Sequence, residues 1–301
     1  MKVREATLLD FDDIYKLLKR LNDTSFSKRD WQKITTVDFN TRLKHYGYVL
    51  EDNAQILGFI GTIFSSRKHQ GKTLNYCNIH SWIVDPKAKT AGMILLLKVL
   101  KLKNHVITNF TASEGPYKIF KSLKFNQVNY KNYKLLPFQS FKSKSKICLN
   151  KINDKNAQLL LDIDELILYK NHKQFENVQF LHLKMQDKSA FVITKRKCYT
   201  PGLLNKVTLF KKLLSNKLAL AEIHYISNSD LFLLGFSNTR TALKICRYLG
   251  TAGVIIANRY LPKSIRLRKK LYPSKRPYVY RHAEDDDIVD TLYSELFVLN
   301  F

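Results

Sequence analysis

Residues 83–97 place two lysines between a strand-like apolar run and a helix-like apolar run. The loop carries Lys87 and Lys89, and the helical run begins at Gly92. The first turn of a helix has backbone N–H groups without intrahelical acceptors, and the helix dipole adds partial positive charge there. Two lysines at that point therefore predict a site for a phosphate or pyrophosphate group.

Two further side chains near this loop could take part in chemistry. His80 lies on the preceding predicted strand, where strict alternation puts it on one face with Asn78 and Trp82. An imidazole there could accept a proton, because its ordinary pKa is about 6.5, or it could be a hydrogen-bonded residue of the strand. Asn109, at the end of the next predicted strand, could hold an acceptor or a bound water, or it could cap the strand end.

A second basic stretch runs from Arg259 to Arg281. It contains nine lysines and arginines, no acidic residue and four tyrosines. Phosphate contacts combined with base stacking would use such a mixture, and so would binding of a phosphorylated or acidic sugar. A solvated basic loop is the third interpretation, since the acidic run Glu284–Asp287 follows and could pair with it.

Alternating strand and helix signals predict an α/β fold. Apolar residues at helical spacing from Ile14 indicate a first helix after a first strand, and the order over residues 1–135 is β-α-β-β-β-α-β-α-β. This order predicts an α/β layer with at least one parallel pair of strands.

Local patterns also predict four individual elements. Residues 48–64 predict a hairpin that turns at Glu51–Asn53, and residues 65–72 a polar loop. Residues 239–249 predict a helix, and residues 296–299 a final strand.

A Ser/Lys-rich stretch at 138–146 predicts a boundary between two domains, at residues 1–138 and 148–301. In the second part a hairpin, a strand, a helix and a strand follow one another in the order predicted for the first part. That order suggests a second α/β domain made by an old duplication, although no repeat of individual residues is visible.

Residues 84–94 resemble the phosphate-loop motif of the GNAT acyltransferase superfamily, which runs roughly V-x-P-x-Y-R-G-x-G-I-G and leads into an apolar helix. Val84, Pro86 and Gly92 match the motif, Lys89 keeps the charge of the usual arginine, and Thr90 and Ile94 replace two glycines. A later motif, an aromatic residue followed by K-x-G-F, is echoed by residues 120–125. The resemblance covers roughly residues 1–137, and it implies a mixed, mainly antiparallel sheet flanked by helices.

The resemblance implies an acyl-CoA co-substrate, acetyl-CoA or another acyl-CoA. In the family, a splayed central strand holds the pantetheine arm through its backbone, and the loop amides hold the pyrophosphate. The cofactor-binding residues implied here are Ile83, Val84, Lys89, Thr90, Ala91, Gly92, Met93, Ile94 and Asn109.

The implied chemistry is attack of an amine or hydroxyl on a thioester, with a base and an acid. His80 is the candidate base. The family's usual acid is a tyrosine, and Phe120 occupies the matching position here. Tyr117, three residues earlier, is therefore the candidate acid. Phe120 and the bulky Ile94 favour an alternative, a binding protein of this fold without turnover.

The second half retains no phosphate loop, so its expected role is to close one side of the acceptor pocket. Two-domain proteins of this kind resemble enzymes that acylate amino sugars of surface polysaccharides, and also aminoacyl transferases of cell-wall peptide synthesis. Because one half retains a CoA-like loop, we expect an N- or O-acyltransferase that acts on a small polar acceptor such as an amino sugar or sugar nucleotide.

Composition limits the remaining classes. The chain has 301 residues, 45% of them hydrophobic, and a net charge of +26, which favours anionic partners such as nucleic acid and makes a polyanion-binding module a further alternative. No apolar run reaches membrane-spanning length and the first residues lack the pattern of a signal peptide, so we expect neither a transmembrane span nor a signal peptide. Its four cysteines are widely spaced, so we expect a cytoplasmic protein without a metal site. Its oligomeric state is left open.

Overall fold

The computed structural model describes residues 1–21, 26–39, 41–43, 45–69, 71–128, 130–137, 146–198, 219–262, 270–273, 276–283 and 288–299. The chain forms two compact units. The first contains residues 1–129 and 275–301, and the second contains residues 130–274.

The first unit is built on one seven-stranded sheet. Its strands are β1 (Lys2–Glu5), β2 (Gly47–Asp52), β3 (Gln55–His69), β4 (Lys72–Val84), β5 (His105–Asn109), β6 (Asn126–Val128) and β14 (Tyr278–Arg281). Its helices are α1 (Phe11–Leu18), α2 (Lys28–Thr36), α3 (Gly92–Leu100), α4 (Glu114–Ser122) and α9 (Glu295–Val298). The strand order is β1-β2-β3-β4-β5-β14-β6, and β4–β5 is the parallel pair in this order.

The predicted hairpin between residues 48 and 64 is confirmed as β2 and β3, but its turn lies later than predicted, because Glu51 and Asp52 still pair with Ile56 and Gln55. Asn53 and Ala54 at its turn have φ of 46° and 62°, the left-handed pair that a tight two-residue hairpin turn requires. The predicted polar loop at 65–72 is wrong, because β3 and β4 stay paired to the end, where His69 lies opposite Lys72. Polar side chains are compatible with a strand whose faces are partly exposed.

The core of this unit lies between the sheet and the apolar sides of its helices. In α3, Leu95, Leu96 and Val99 are fully buried against sheet residues such as Ile60 and Ile79. The predicted amphipathic helix at Ile14 is confirmed as α1.

The C-terminal residues belong to this first unit. Val279 in β14 lies opposite Asn109 of β5, and β14 pairs on its other side with β6. The predicted division assigns the whole of 148–301 to a second domain. It does not include this pairing, because local sequence patterns do not encode a distant strand partner. Residues 296–299, predicted as a strand, lie largely within the short helix α9, since a short apolar run fits either structure.

The second unit is also built on one seven-stranded sheet. Its strands are β7 (Lys131–Leu135), β8 (Cys148–Lys151), β9 (Val178–Met185), β10 (Lys188–Cys198), β11 (Ala219–Ile226), β12 (Gly253–Ala257) and β13 (Lys270–Pro273). Its helices are α5 (Ala157–Leu160), α6 (Ile163–His172), α7 (Ser229–Ser237) and α8 (Thr239–Leu249). The strand order is β13-β7-β12-β11-β10-β9-β8.

The predicted helix at 239–249 is confirmed as α8. The Asn238 side chain accepts a hydrogen bond from the backbone N–H of Thr241 at its start, and Gly250 ends it in the left-handed conformation, with φ of 61°. Asn238 and Gly250 are therefore residue types that favour the start and the end of a helix, respectively.

The two sheets have the same order and sense. Starting from β1 and from β8, each contains three antiparallel pairs, one parallel pair and two antiparallel pairs. The predicted α/β class, with mixed and mainly antiparallel sheets flanked by helices, is confirmed. A duplicated sequence would produce this likeness, and duplication stays a proposal.

Candidate functional site

Strands β4 and β5 stop pairing half-way along β4. Their parallel register runs from Asn75 opposite His105 to Asn78 opposite Thr108, whereas β4 continues to Val84. The side-chain amide of Asn109 donates a hydrogen bond to the Ile79 carbonyl oxygen at 2.8 Å, just where the ladder ends. Beyond that point, residues 81–84 are half-buried and have no ladder partner on the β5 side.

A β-bulge at Ser81 accompanies this change. Ser81 has φ of 49°, and the β3–β4 register shifts between Phe59 and Gly61. As a consequence, Cys77 and Ile79 share a core cluster with Trp82 and Val84, although the two pairs differ in parity. The prediction that Asn78, His80 and Trp82 share one face is therefore wrong for Trp82, because it assumed an unbroken alternation.

The basic loop after β4 is a 3₁₀ helix, Pro86–Ala91, that leads directly into α3. The Asp85 carboxylate accepts the backbone N–H of Lys87 at 3.0 Å, and the N–H of Gly92 donates to the Lys89 carbonyl. The backbone N–H groups of Lys87 and Gly92 are therefore already bonded within the chain, although free N–H groups were expected at the start of the helix. Lys87 and Lys89 are exposed, as is Thr90.

Gly92 has a packing role in this structure. A Cβ placed on it would lie 2.7 Å from Cγ2 of Val84, so the absence of a side chain lets α3 begin directly against β4. The neighbouring Ala91 and Met93 are half-buried, whereas Ile94 is 50% exposed. The isoleucine therefore projects from the helix and is not part of the core.

His80 is buried, with 3% exposure. Its Nδ1 is hydrogen-bonded to the Ser81 hydroxyl at 2.9 Å, and its ring packs over Gly61, where an added Cβ would lie 2.2 Å from the imidazole. Burial lowers the pKa of His80 to about 3, so the ring is neutral at pH 7. Its assignment as a base stays a prediction.

The candidate acid, Tyr117, lies on α4. Its hydroxyl donates a hydrogen bond to the side-chain carbonyl of Gln127 at 2.7 Å. Phe120, one turn later, is 1% exposed and packs against Trp82 and Phe125 in the core. Phe120 is therefore a core residue, and the role of Tyr117 stays a prediction.

The structure adds Glu295, a residue that the sequence did not single out. Its carboxylate is buried and accepts hydrogen bonds from the Asn78 side-chain amide and from the Thr111 hydroxyl, the latter at 2.6 Å. Thr108 in turn donates to the Asn78 side-chain carbonyl at 3.1 Å. Burial raises the pKa of Glu295, against the opposing hydrogen bonds and the charge of Arg276. No local sequence signal marks a partner more than 200 positions away.

Residues 263–269 and 274–275 of the second basic stretch lie outside the described residues, and so does the acidic run 284–287 that follows it. Tyr278 and Tyr280 lie in β14 and are 8% and 6% exposed, so the interpretation of these two tyrosines as stacking surfaces is wrong. Tyr260 donates its hydroxyl to the His224 carbonyl at 3.1 Å.

Within the described ranges, no cluster of three or more histidine, cysteine, aspartate or glutamate side chains could hold a metal ion. Across the same residues, no helix is both long enough and apolar enough to cross a membrane.

No protein-family model and no curated protein sequence matches this chain. Solved structures do. A GCN5-related N-acetyltransferase from Anabaena variabilis aligns with a TM-score of 0.56 and 11% identity, over 93% of this chain and 72% of that one. One from Kribbella flavida aligns with a TM-score of 0.55 and 9% identity, over 93% and 70%. A glucosamine N-acetyltransferase region of a fungal multi-domain β-N-acetylglucosaminidase aligns with a TM-score of 0.52 and 10% identity, over 93% and 38%. The chain therefore has the GNAT fold, that of the GCN5-related N-acetyltransferases.

Proposed function

We propose that the protein is an acyl-CoA-dependent N- or O-acyltransferase that acts on a small polar acceptor. The observation that carries the proposal is the divergence of β4 from β5 after Asn78 and Thr108 in a chain with the GNAT fold. Strand β4 then leads through a basic 3₁₀ turn into α3. A groove lined by backbone is thereby followed by a positively charged helix start.

The residues present fit an acyl-CoA. Residues 81–84 are half-buried and offer backbone groups that no β5 residue pairs, so Ile83 and Val84 are suited to a pantetheine arm. Lys87 and Lys89 supply exposed positive charge where the pyrophosphate would lie. Residues 90–94, which follow at the start of α3, complete the proposed pyrophosphate site. Asn109 stabilises the start of the divergence through its bond to Ile79. When bound, an acyl-CoA would supply an activated thioester carbonyl.

The proton acceptor is proposed from two buried groups. His80 stays neutral at pH 7, as a base must, but a pKa of about 3 makes it a weak one. Glu295 has a pKa raised above its ordinary 4.5 and is therefore the stronger base. Tyr117 remains the proposed acid, with its hydroxyl oriented by Gln127.

The acceptor that we propose is an amino sugar or a related surface-polysaccharide precursor. The fungal structure of the same fold is described as a glucosamine N-acetyltransferase region, and this supports the acceptor class by analogy alone. The second unit is proposed to serve the acceptor side.

Protection of the protein against heat by acetyl-CoA tests the proposal. We expect a rise in Tm with acetyl-CoA concentration, and Lys89→Glu should weaken the apparent affinity by about tenfold. Lys101→Glu, at the other end of α3, is the matched control and should retain the protection. Thiol release with amino-sugar acceptors then separates an enzyme from a binding protein without turnover. Absence of protection at millimolar acetyl-CoA would contradict the proposal.

A further inference from the structure

The positive charge of the chain is concentrated in its second unit. Residues 130–274 contain 27 lysines and arginines and 8 acidic residues, a net charge of +19, whereas the first unit contains 24 and 17, a net charge of +7. A basic domain whose cations cluster along one helix or one face has the electrostatic footprint of a nucleic-acid-binding protein. The position of exposed, unpaired cations in this unit therefore indicates where a polyanion would bind.

Helix α8 carries a row of basic side chains on its exposed side. Arg240, Lys244 and Arg247 are spaced at i, i+4 and i+7, so they point the same way, and all three are exposed. A rise of about 1.5 Å per residue places Lys244 about 6 Å and Arg247 about 10 Å along the helix axis from Arg240. The three side chains line one shallow recess with Thr239 and Leu243. They form one contiguous basic surface, here named the α8 surface.

Neighbouring carboxylates do not neutralise the α8 surface. In the described part of the chain, none of its three side chains forms an ion pair. The adjoining helix α7 contains one acidic residue, Asp230, which is exposed and pairs with none of them, and β8, which also packs against α8, contains Lys151 and no acidic residue. Like charges at i and i+4, such as Arg240 and Lys244, repel each other and destabilise a helix. An anionic partner would relieve this repulsion.

The opposite side of α8 distinguishes a nucleic acid from a membrane as the partner. That side consists of small and apolar residues buried in the core of the second unit, namely Ala242, Ile245, Cys246 and Leu249. A helix that lies on a membrane needs its apolar side free to enter the lipid. The exposed side of α8 offers instead its cations, with Leu243 and Tyr248 at 42% and 41% exposure. Cations are sufficient for phosphate contacts, and the tyrosine beside Arg247 could stack on a base.

We propose that the α8 surface binds nucleic acid through its phosphate backbone, with Arg240, Lys244 and Arg247 as the contact residues. Phosphate contacts carry no base information, so binding depends little on sequence. The proposal goes beyond the proposed function and does not depend on it, because the candidate acyl-CoA site lies in the first unit.

Fluorescence anisotropy of labelled nucleic acid titrated with the full chain tests the proposal. The probes are a DNA duplex and a single-stranded RNA, and we expect binding that weakens steeply as salt rises from about 50 to about 200 mM. Neutralising the α8 surface with Arg240→Gln, Lys244→Gln and Arg247→Gln together should weaken binding by about 100-fold, or about fivefold for each phosphate contact. The slope of log K against log salt should fall in magnitude by about three.

A second triple variant controls for net charge. Lys101→Gln, Lys103→Gln and Lys121→Gln remove the same charge from exposed positions of the first unit and should weaken binding much less. The α8 variant should unfold at the same temperature or higher, because it lacks the like-charge repulsion, so its loss of binding would not reflect unfolding.

Leu243→Ser separates a nucleic acid from a membrane. The variant should bind both nucleic acids as the original chain does, since a leucine contributes nothing to phosphate contacts. Binding to vesicles that contain phosphatidylserine, weakened by Leu243→Ser and unaccompanied by nucleic-acid binding, would overturn the proposal. So would an absence of nucleic-acid binding at low salt, or equal losses in the two triple variants.

Discussion

The side-chain amide of Asn78 donates a hydrogen bond to the carboxylate of Glu295, 217 positions further along the chain. Asn78 is the last β4 residue that pairs with β5, and the other carboxylate oxygen accepts the hydroxyl of Thr111, which follows β5. The carboxylate thus bridges the two strands where they diverge. A C-terminal helix thereby takes part in shaping the candidate site of the N-terminal sheet.

The stability of the protein should depend on the ionisation of Glu295. Burial raises its pKa above the ordinary 4.5, so the folded chain retains the proton to higher pH than the unfolded chain. The stability contributed by this group is complete below 4.5 and is lost as pH rises through the folded pKa. Glu295→Gln should therefore gain stability relative to the original chain as pH rises from acidic to neutral, measured by urea denaturation. Glu114→Gln, at an exposed position of α4, is the control for this comparison. A gap that does not widen would contradict the assignment.

Turnover should distinguish the two candidate bases. Glu295→Gln keeps the shape of the side chain but removes the basic carboxylate, so kcat should fall by about 100-fold or more with acetyl-CoA binding retained. His80→Gln should lower kcat much less, because a ring with a pKa of about 3 is a weak base. Steady-state thiol release across pH measures both. The opposite ranking would assign the base to His80.

Gly92 should tolerate no side chain while Val84 is present. Gly92→Ala brings a Cβ to 2.7 Å from Val84, and overpacking of this kind costs about 1–3 kcal/mol of unfolding free energy. Val84→Ala should relieve the clash in the double variant, giving a strongly non-additive cycle in urea denaturation. Gly115→Ala, where an added Cβ meets nothing within 4 Å, is the control and should leave stability unchanged or slightly higher. Additive effects would show that the two residues are not in contact.

The stability of the protein should depend on a buried ion pair that holds the segment at residues 288–299. Arg67 bonds the Asp290 carboxylate and the Ile288 carbonyl, and the two charged side chains are 15% and 8% exposed. Asp290→Asn leaves the guanidinium without its counter-charge and should cost about 3–5 kcal/mol, measured by urea denaturation. Asp13→Asn breaks an exposed pair with Lys16 and should have little effect. Similar losses in both variants would contradict the importance of burial.

Local patterns were sufficient for much of the fold. The hairpin at 48–64 and the helix at 239–249 follow from turn residues and apolar spacing within short windows. The basic turn before α3 was also placed correctly, because the lysines, the glycine and the apolar run are contiguous.

Long-range pairing accounts for what the sequence missed. The insertion of β14 between β5 and β6 joins residues at least 150 positions apart, and no periodicity encodes a partner. The bulge at Ser81 inverted the face expected for Trp82, and it places a non-glycine residue at positive φ, which only tertiary structure enforces. Glu295 was missed because its partners, Asn78 and Thr111, are distant in the sequence.

Hydrogen–deuterium exchange with and without acetyl-CoA tests the central claim most directly, because it reports on the backbone of the diverging strand and the following turn. The account predicts that saturating acetyl-CoA slows exchange within residues 81–94, and that Lys89→Glu reduces this protection at equal ligand concentration. Unchanged exchange across 81–94 at millimolar acetyl-CoA would contradict it.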